Sequence, residues 1–402
     1  MNIKFEKSTA NGTITAPPSK SMAHRYIICS ALAKGESVIS NVDYSEDIKA
    51  TLDCVKTLGA EVSVNEDTVT LNPGSGLFEK KELEFMCRES GSTMRFFMGI
   101  AMTLNAKSSF YGSETLRNRP FGVYEKICEE ENIKFARKDD CIVIEGGIKS
   151  NEFEIRGDIS SQFVTGLMYA LSLKENGGRI KLIPPVESRS YINMTISSMR
   201  EFGVNASWID DVTIEIPGGS KYEAKKARVE GDYSNAAFLD AFNFIGGNVK
   251  TLGLNPDSLQ GDKVYSEFFE KLSKGYSTID LADCPDLGPV LFCVAAANKG
   301  GLFTSTERLK IKESNRGRVM CDELAKFGVE TVYADETIEI KGNGLKAPTE
   351  NLDGHNDHRI VMSLSLLLSI TGGMISGAEA VRKSYPHFFE DIEKLGIVFE
   401  RM

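Results

Sequence analysis

The sequence predicts an α/β protein of two domains, each built from three copies of one helix–stop–strand unit, and three observations carry that expectation. The chain has 402 residues, which exceeds one ordinary core and suits two domains of about two hundred residues each. Charged residues make up 26% and apolar residues 41%, enough to bury a core without any bias toward disorder or collagen-like repeats. Six short segments then recur along the chain and open the same local pattern each time.

The six openers are Ser19-Lys20-Ser21, Ser90-Gly91-Ser92, Ser160-Ser161-Gln162, Gly231-Asp232-Tyr233, Asp283-Cys284-Pro285-Asp286 and Asn356-Asp357-His358. Each precedes a run of helix-period apolar residues. Their small or acidic side chains suit helix N-caps, where an oxygen accepts an otherwise unpaired backbone N–H. Each helix runs into a polar or glycine stop, at Lys34-Gly35, Asn105-Ala106, Asn176-Gly177-Gly178, Gly246-Gly247, Lys299-Gly300-Gly301 and Gly372-Gly373, and a run suited to a strand follows. From opener to opener, four of five intervals are 70 to 73 residues and the fourth is 52.

A second helix and a strand pair complete most units, as in LGAEVSVNEDTVTLNPG, NIKFARKDDCIVIEGG, FGVNASWIDDVTIEIPGG and FGVETVYADETIEIKGNG, with a turn at the acidic pair. The short fourth unit ends at KLSKGYSTIDLADC without that hairpin. The sixth stops at KLGIVFERM, one strand short, while IKFEKSTANGTITAPP near the start has no helix of its own. The N-terminal strand is therefore expected to complete the last unit. One domain should span residues 20–228, and the other residues 1–19 with 229–402, the chain crossing between them twice. Three units per domain is a sensible minimum for burying the apolar faces of repeats.

Lysine and arginine total 47 against 57 acidic residues, a net charge of −10. That sign argues against nucleic acid or an anionic membrane as the main partner. The eight cysteines form no CxxC pair and no Cys/His ladder, so neither a disulfide framework nor a zinc site is expected. The start MNIKFEKSTANG carries no apolar leader core, and no stretch approaches the length of a membrane span. A cytoplasmic protein is the expectation.

Basic residues nevertheless gather at the openers and the loops beside them: Lys20, Arg25, Arg95, Arg119, Lys312, Arg316, Arg359 and Lys383. A helix N-terminus offers unpaired N–H groups and a partial positive charge, and guanidinium forks grip carboxylate or phosphate in bidentate fashion. Any one such residue is more often a solvated surface charge; repetition at equivalent places favours an anion site. PPSKSMAHR, read alone, is a capped helix with exposed basic residues. ESGSTMRF stands evenly between a cap and a place where Gly91 lets backbone approach a ligand. Ser160, Ser161 and Gln162 offer three neutral polar groups at a third helix start. LKIKESNR reads equally as a charged helix face or as a site, whereas NDHR sets His358 and Arg359 at the entrance to a buried segment, which favours function.

PSKSMAHR, SGSTMR, RNRP, DISSQFVTGL, SRSYI, EGDYSNAAF, KESNR, NDHR and KSYPHFFED occur in the order found in one known family. Across essentially its whole length the chain resembles the 5-enolpyruvylshikimate-3-phosphate synthases, within the enolpyruvyl transferases. The resemblance implies two inside-out, barrel-like α/β domains, each of three βαβαββ units, with one unit shortened in the second domain. It implies a cytoplasmic enzyme of chorismate and aromatic amino-acid biosynthesis that moves the enolpyruvyl group of phosphoenolpyruvate to the 5-hydroxyl of shikimate 3-phosphate. Phosphate leaves through a tetrahedral ketal, and no metal or organic cofactor takes part. A monomer is expected, with no nucleic-acid or membrane partner.

By the same resemblance, Asp286 is the proton acceptor near the 5-hydroxyl and Glu313 the proton donor near the methylene carbon, with Lys20 as a third catalytic group. Ser21, Arg25, Ser160, Ser161, Ser188, Asp286 and Lys312 are expected to hold shikimate 3-phosphate. Gly91, Arg119, Arg316, Arg359 and Lys383 are expected to hold phosphoenolpyruvate, while Lys20 and Gln162 touch both substrates. These residues come from both domains, so closure around the first substrate is expected. Three departures stand out. Glu89 replaces a common asparagine and places an acid beside the anion site; Asn315 replaces a usual aspartate; and the lost hairpin of the fourth unit should shorten a strand pair at a domain surface and leave the cleft intact. The nearest alternative is the sister activity on UDP-N-acetylglucosamine, which usually has a cysteine before the RP motif. Here GSETLRNRP has Ser113 and no cysteine between Phe110 and Phe121.

Overall fold

The computed structural model describes residues 1–74, 80–342 and 344–402; Asn343, in the KGNG stop of the fifth unit, lies outside them. Five of the six openers lead directly into a helix: Lys20–Leu32, Gly91–Ala101, Ser161–Ser172, Tyr233–Asp240 and His358–Thr371. Four of these have a side-chain cap. Ser90, Ser160, Asp232 and Asp357 accept from the backbone N–H of Thr93, Gln162, Asn235 and Arg359 at 3.3, 3.3, 2.8 and 3.0 Å. Such caps satisfy donors that the helix cannot pair internally.

The fifth opener behaves differently from the N-cap expected of it. Its residues Pro285–Leu287 form a single 3-10 turn, and the helix Gly288–Ala297 follows with no side-chain cap. The Asp286 carboxylate is turned instead onto cationic side chains, where its charge gains more than a cap offers.

These helices are buried on nearly all sides, as sequences apolar around the whole circumference must be. Strands just ahead of the openers show the complementary pattern. Glu82–Met86 and Glu152–Arg156 alternate exposed and buried residues, so one sheet face covers helices and the other meets water. Each unit of the chain is thus inside-out, with helices within and sheets outside. In the third and fifth units the same residue makes the helix-to-strand turn. Gly177 and Gly300 have φ of +60° and +81°, and a Cβ at either would overlap the carbonyl of Ile216 or Ile340 on the adjacent hairpin strand.

Lys20–Val229 forms one compact unit, and Met1–Ser19 with Glu230–Met402 forms the other. Their buried apolar residues fall into two clusters, one per unit. In the Lys20–Val229 unit, three four-stranded sheets repeat one pattern. The strand after the helix (Ser37–Ser40, Lys107–Tyr111 or Gly177–Ile183) pairs in parallel with one neighbour and antiparallel with a hairpin strand. In the first sheet the parallel neighbour is Lys226–Arg228, from the end of the unit.

The other unit closes in the same way with strands from the chain start. Ile3–Phe5 lies between Gly373–Ser376 and Phe399–Arg401, antiparallel to both. A second strand, Asn11–Thr15, pairs in parallel with Asn248–Leu252 and forms with it a two-stranded sheet, while the other sheets of this unit have four strands. The short interval in the sequence therefore corresponds to a sheet of two strands. Among the described residues no helix is long and apolar enough to cross a membrane, and all eight cysteines are buried and free of disulfides.

Candidate active site

In the Lys20–Val229 unit, the sequence-predicted residues gather around three helix starts. Lys20 begins the first helix, and its ammonium lies 2.7 Å from the Asp47 carboxylate. One turn on, Arg25 is 3% exposed. Its guanidinium donates to the Thr195 hydroxyl at 2.9 Å, the Ser21 carbonyl at 2.7 Å and the Tyr191 carbonyl at 2.9 Å, and it lies 5.6 Å from the Phe96 ring centroid. All three acceptors are neutral. A buried cation is costly unless an anion balances it, and burial pushes the Arg25 pKa down.

At the second helix start, a Cβ on Gly91 would lie 2.6 Å from one Arg119 nitrogen and 3.4 Å from one of Arg95. Two guanidiniums rest close to the Gly91 backbone, so a side chain there would have to push the tip of Arg119 aside. Arg95 donates to the Gln162 amide oxygen at 2.5 Å and lies 5.1 and 5.6 Å from the Phe163 and Phe121 ring centroids; the Gln162 amide nitrogen donates to Ser92 at 2.8 Å. Gln162 is thereby fixed with its third-helix neighbours Ser160 and Ser161. Ser188 is 1% exposed and sits in the left-handed region at φ 51°, just before the helix Arg189–Glu201.

A second group lies in the other unit, centred on Arg316. This guanidinium is 1% exposed and contacts three carboxylates: Asp286 at 2.8 Å, Glu313 at 2.5 Å and Asp357 at 2.8 Å. Asp286 is also 3.0 Å from Lys312 and 3.2 Å from Arg359. Burial works to raise the Asp286 pKa, but Arg359, Lys312 and Arg316 together hold it well below the usual carboxylate range. For Lys312, burial first and then Arg308 and Arg316 lower the pKa against the pull of Asp286. Lys383 donates to the Asn356 carbonyl at 2.6 Å. The Asp286 and Glu313 side chains keep 21% and 20% exposure, so both carboxylates remain open to a solute while Arg316 is sealed behind them.

Several contributors were not singled out from the sequence as site residues. Asp47 lies 27 residues from Lys20 with no local signal. Asp357, read as a cap, also grips the Arg316 Nε. Asp262 is 2% exposed, and its carboxyl is pushed up to about 6 by burial and then by Asp286, with Arg359 opposing. Asn315 accepts from the Arg318 N–H at 3.2 Å and so caps the helix Arg316–Lys326.

Buried helices with capped starts, cations beside those starts, and two accessible carboxylates on one guanidinium define a two-domain α/β protein with its charged groups gathered at helix starts. The family model for EPSP synthase (3-phosphoshikimate 1-carboxyvinyltransferase) matches residues 6–392, and the chain belongs to that family. A 3-phosphoshikimate 1-carboxyvinyltransferase of Clostridium perfringens strain 13 is 37% identical, with 97% of each chain covered. One of Clostridioides difficile strain 630 is 35% identical over 98% of this chain and 97% of its own. The fold is similar to that of an EPSP synthase from Acinetobacter baumannii, with a TM-score of 0.79 at 22% identity and 99% of each chain covered.

Proposed function

We propose that this protein transfers the enolpyruvyl group of phosphoenolpyruvate to the 5-hydroxyl of shikimate 3-phosphate and releases phosphate, on the route to chorismate and the aromatic amino acids. The observation that carries the chemistry is the placement of Asp286 and Glu313 on the two terminal nitrogens of one buried guanidinium, that of Arg316. Asp286 takes the proton of the attacking hydroxyl while Glu313 delivers one to the methylene carbon. The new C–O bond gives a tetrahedral ketal with a methyl group. Loss of a methyl proton and departure of phosphate then restore the double bond.

The electrostatics fit that sequence. Asp286 is tied to three cations, so it is ionised but weakly basic. When phosphoenolpyruvate, held by Lys20, Arg119, Gln162, Arg359, Lys383 and the Gly91 helix start, displaces the carboxylates that cover Arg316 and competes for those cations, Asp286 loses partners and its basicity rises toward that of a working general base. Shikimate 3-phosphate is assigned to Lys20, Ser21, Arg25, Ser160, Ser161, Gln162, Ser188, Asp286 and Lys312, with the buried cation of Arg25 as the main counter-charge. The protein acts as a monomer in the cytoplasm. The test is phosphate release from phosphoenolpyruvate with shikimate 3-phosphate or with UDP-N-acetylglucosamine. Release with shikimate 3-phosphate alone supports the reading; release with the UDP-sugar, or none, overturns it.

A further inference from the structure

We infer that the Glu323–His355 pair is a pH-dependent positioning device for the loop that anchors three of the proposed phosphoenolpyruvate residues. Glu323 lies on the helix Arg316–Lys326 and is 2% exposed. One of its oxygens is 2.9 Å from the His355 Nε2, and the other accepts the Asp353 N–H at 3.2 Å. Lys326 donates to both oxygens at 2.9 Å. The His355 backbone N–H in turn donates to the Asp353 carboxylate at 2.7 Å. The pair therefore ties residues 353–356 to the helix that begins with Arg316.

This loop is strained. His355 and Asn356 occupy the left-handed region at φ 48° and 51°, a conformation that non-glycine residues keep only when their surroundings enforce it. Its consequence is functional geometry. The Asn356 carbonyl accepts the Lys383 ammonium at 2.6 Å. The next residue, Asp357, caps Arg359 at 3.0 Å and grips the Arg316 Nε at 2.8 Å. Backbone bonds from Gly354 to the Ser376 carbonyl and from Asp357 to the Gly354 carbonyl, at 2.9 and 2.8 Å, hold the loop ends. The Glu323–His355 contact holds its apex.

The charged groups facing the imidazole are Glu323, Asp353 and Lys326. The Glu323 hydrogen bond raises its pKa above 6.5 against the burial that lowers it; Asp353 adds to the rise and Lys326 opposes it. An elevated folded-state pKa means that the stabilisation is complete below the ordinary imidazole value and is lost as pH rises through the elevated one. Glu323 and His355 touch no substrate in this scheme. They act through Lys383, Arg316 and Arg359, so the inference rests on the assignment of those three to phosphoenolpyruvate.

In the wild type, the KM for phosphoenolpyruvate should rise as pH passes the imidazole pKa, with the KM for shikimate 3-phosphate unchanged by that step. His355→Phe should raise the phosphoenolpyruvate KM roughly tenfold at low pH, the effect of losing one charge-assisted hydrogen bond, and should abolish the pH step. His355→Gln, which keeps a neutral donor, should recover part of the affinity without the step, and it decides the matter if the Phe variant does not fold. The chain has 4 histidines, so the His355 resonance can be assigned by difference and titrated by NMR; Glu323→Gln should lower its pKa. Titration of His355 at or below 6.5 in the wild type, or a phosphoenolpyruvate KM and pH profile unchanged in both His355 variants, overturns the inference. Absence of turnover in the wild type refutes the proposed function instead. Inorganic phosphate then serves as the probe: binding that weakens with pH in the wild type but not in His355→Phe supports the device, and parallel curves overturn it.

Discussion

Replacing Arg25 with methionine separates a residue kept for binding from one kept for stability. The native guanidinium is 3% exposed and donates three hydrogen bonds to neutral acceptors. Their loss costs about 1 kcal/mol each. Against that, removing a buried cation with neutral partners relieves a desolvation penalty of several kcal/mol. Methionine also retains contact with the Phe96 ring, and the Thr195 hydroxyl keeps its bonds to Thr165 and the Tyr191 carbonyl at 2.8 and 3.0 Å. The terms nearly cancel, so folding stability should stay within about 1 kcal/mol of wild type and Tm within about 4 °C. Binding should respond differently. A guanidinium and a phosphate about 4 Å apart at an effective dielectric near 20 attract by about 4 kcal/mol. If desolvation of the ligand offsets half, about 2 kcal/mol remains, roughly thirtyfold in Kd for shikimate 3-phosphate. Isothermal titration and a thermal melt on the same sample measure both quantities. An unchanged Kd would show that Arg25 faces no anion, and a loss of stability above about 3 kcal/mol would make it a structural tie.

Asp286→Asn and Glu313→Gln preserve shape but remove the proton acceptor and donor, so each should lower kcat by about 10²- to 10⁴-fold with the circular dichroism spectrum intact; wild-type rates in both variants refute the acid–base assignment. Gly99→Ala should destabilise the Lys20–Val229 unit, because the new Cβ would overlap the Gly166 carbonyl of a neighbouring buried helix. Overpacking of that kind costs about 1–3 kcal/mol, a fall in Tm of several degrees by calorimetry, and an unchanged Tm would show that the two helices can separate freely.

The parts of the fold legible in the letters are those whose causes are local. A serine or aspartate ahead of an apolar run marks a helix start because its oxygen reaches an N–H two or three residues on, and Ser90, Ser160, Asp232 and Asp357 do this. A glycine after the helix marks the turn into a strand for an equally local reason, the positive φ at Gly177 and Gly300. The clustering of basic residues at those starts was legible as well, because the repeat interval exposes equivalent places in each unit. Asp286 shows where such reasoning stops. Its opener looks like the others, yet its carboxylate serves Lys312, Arg316 and Arg359, residues 26 to 73 positions away.

By itself the sequence determined five of the six helix starts, the strand runs that follow them and the identity of the charged groups, since those follow from interactions spanning a few residues. Tertiary structure alone decided which groups meet: Lys20 with Asp47, Arg25 with Thr195, and Glu323 with His355. It also decided that Asn11–Thr15 pairs with Asn248–Leu252, a contact spanning more than half the chain. The physical reason is that a charge or an open strand edge states what kind of partner it needs but not where that partner lies. The packing of buried helices and the closure of sheets choose among many chemically equivalent candidates.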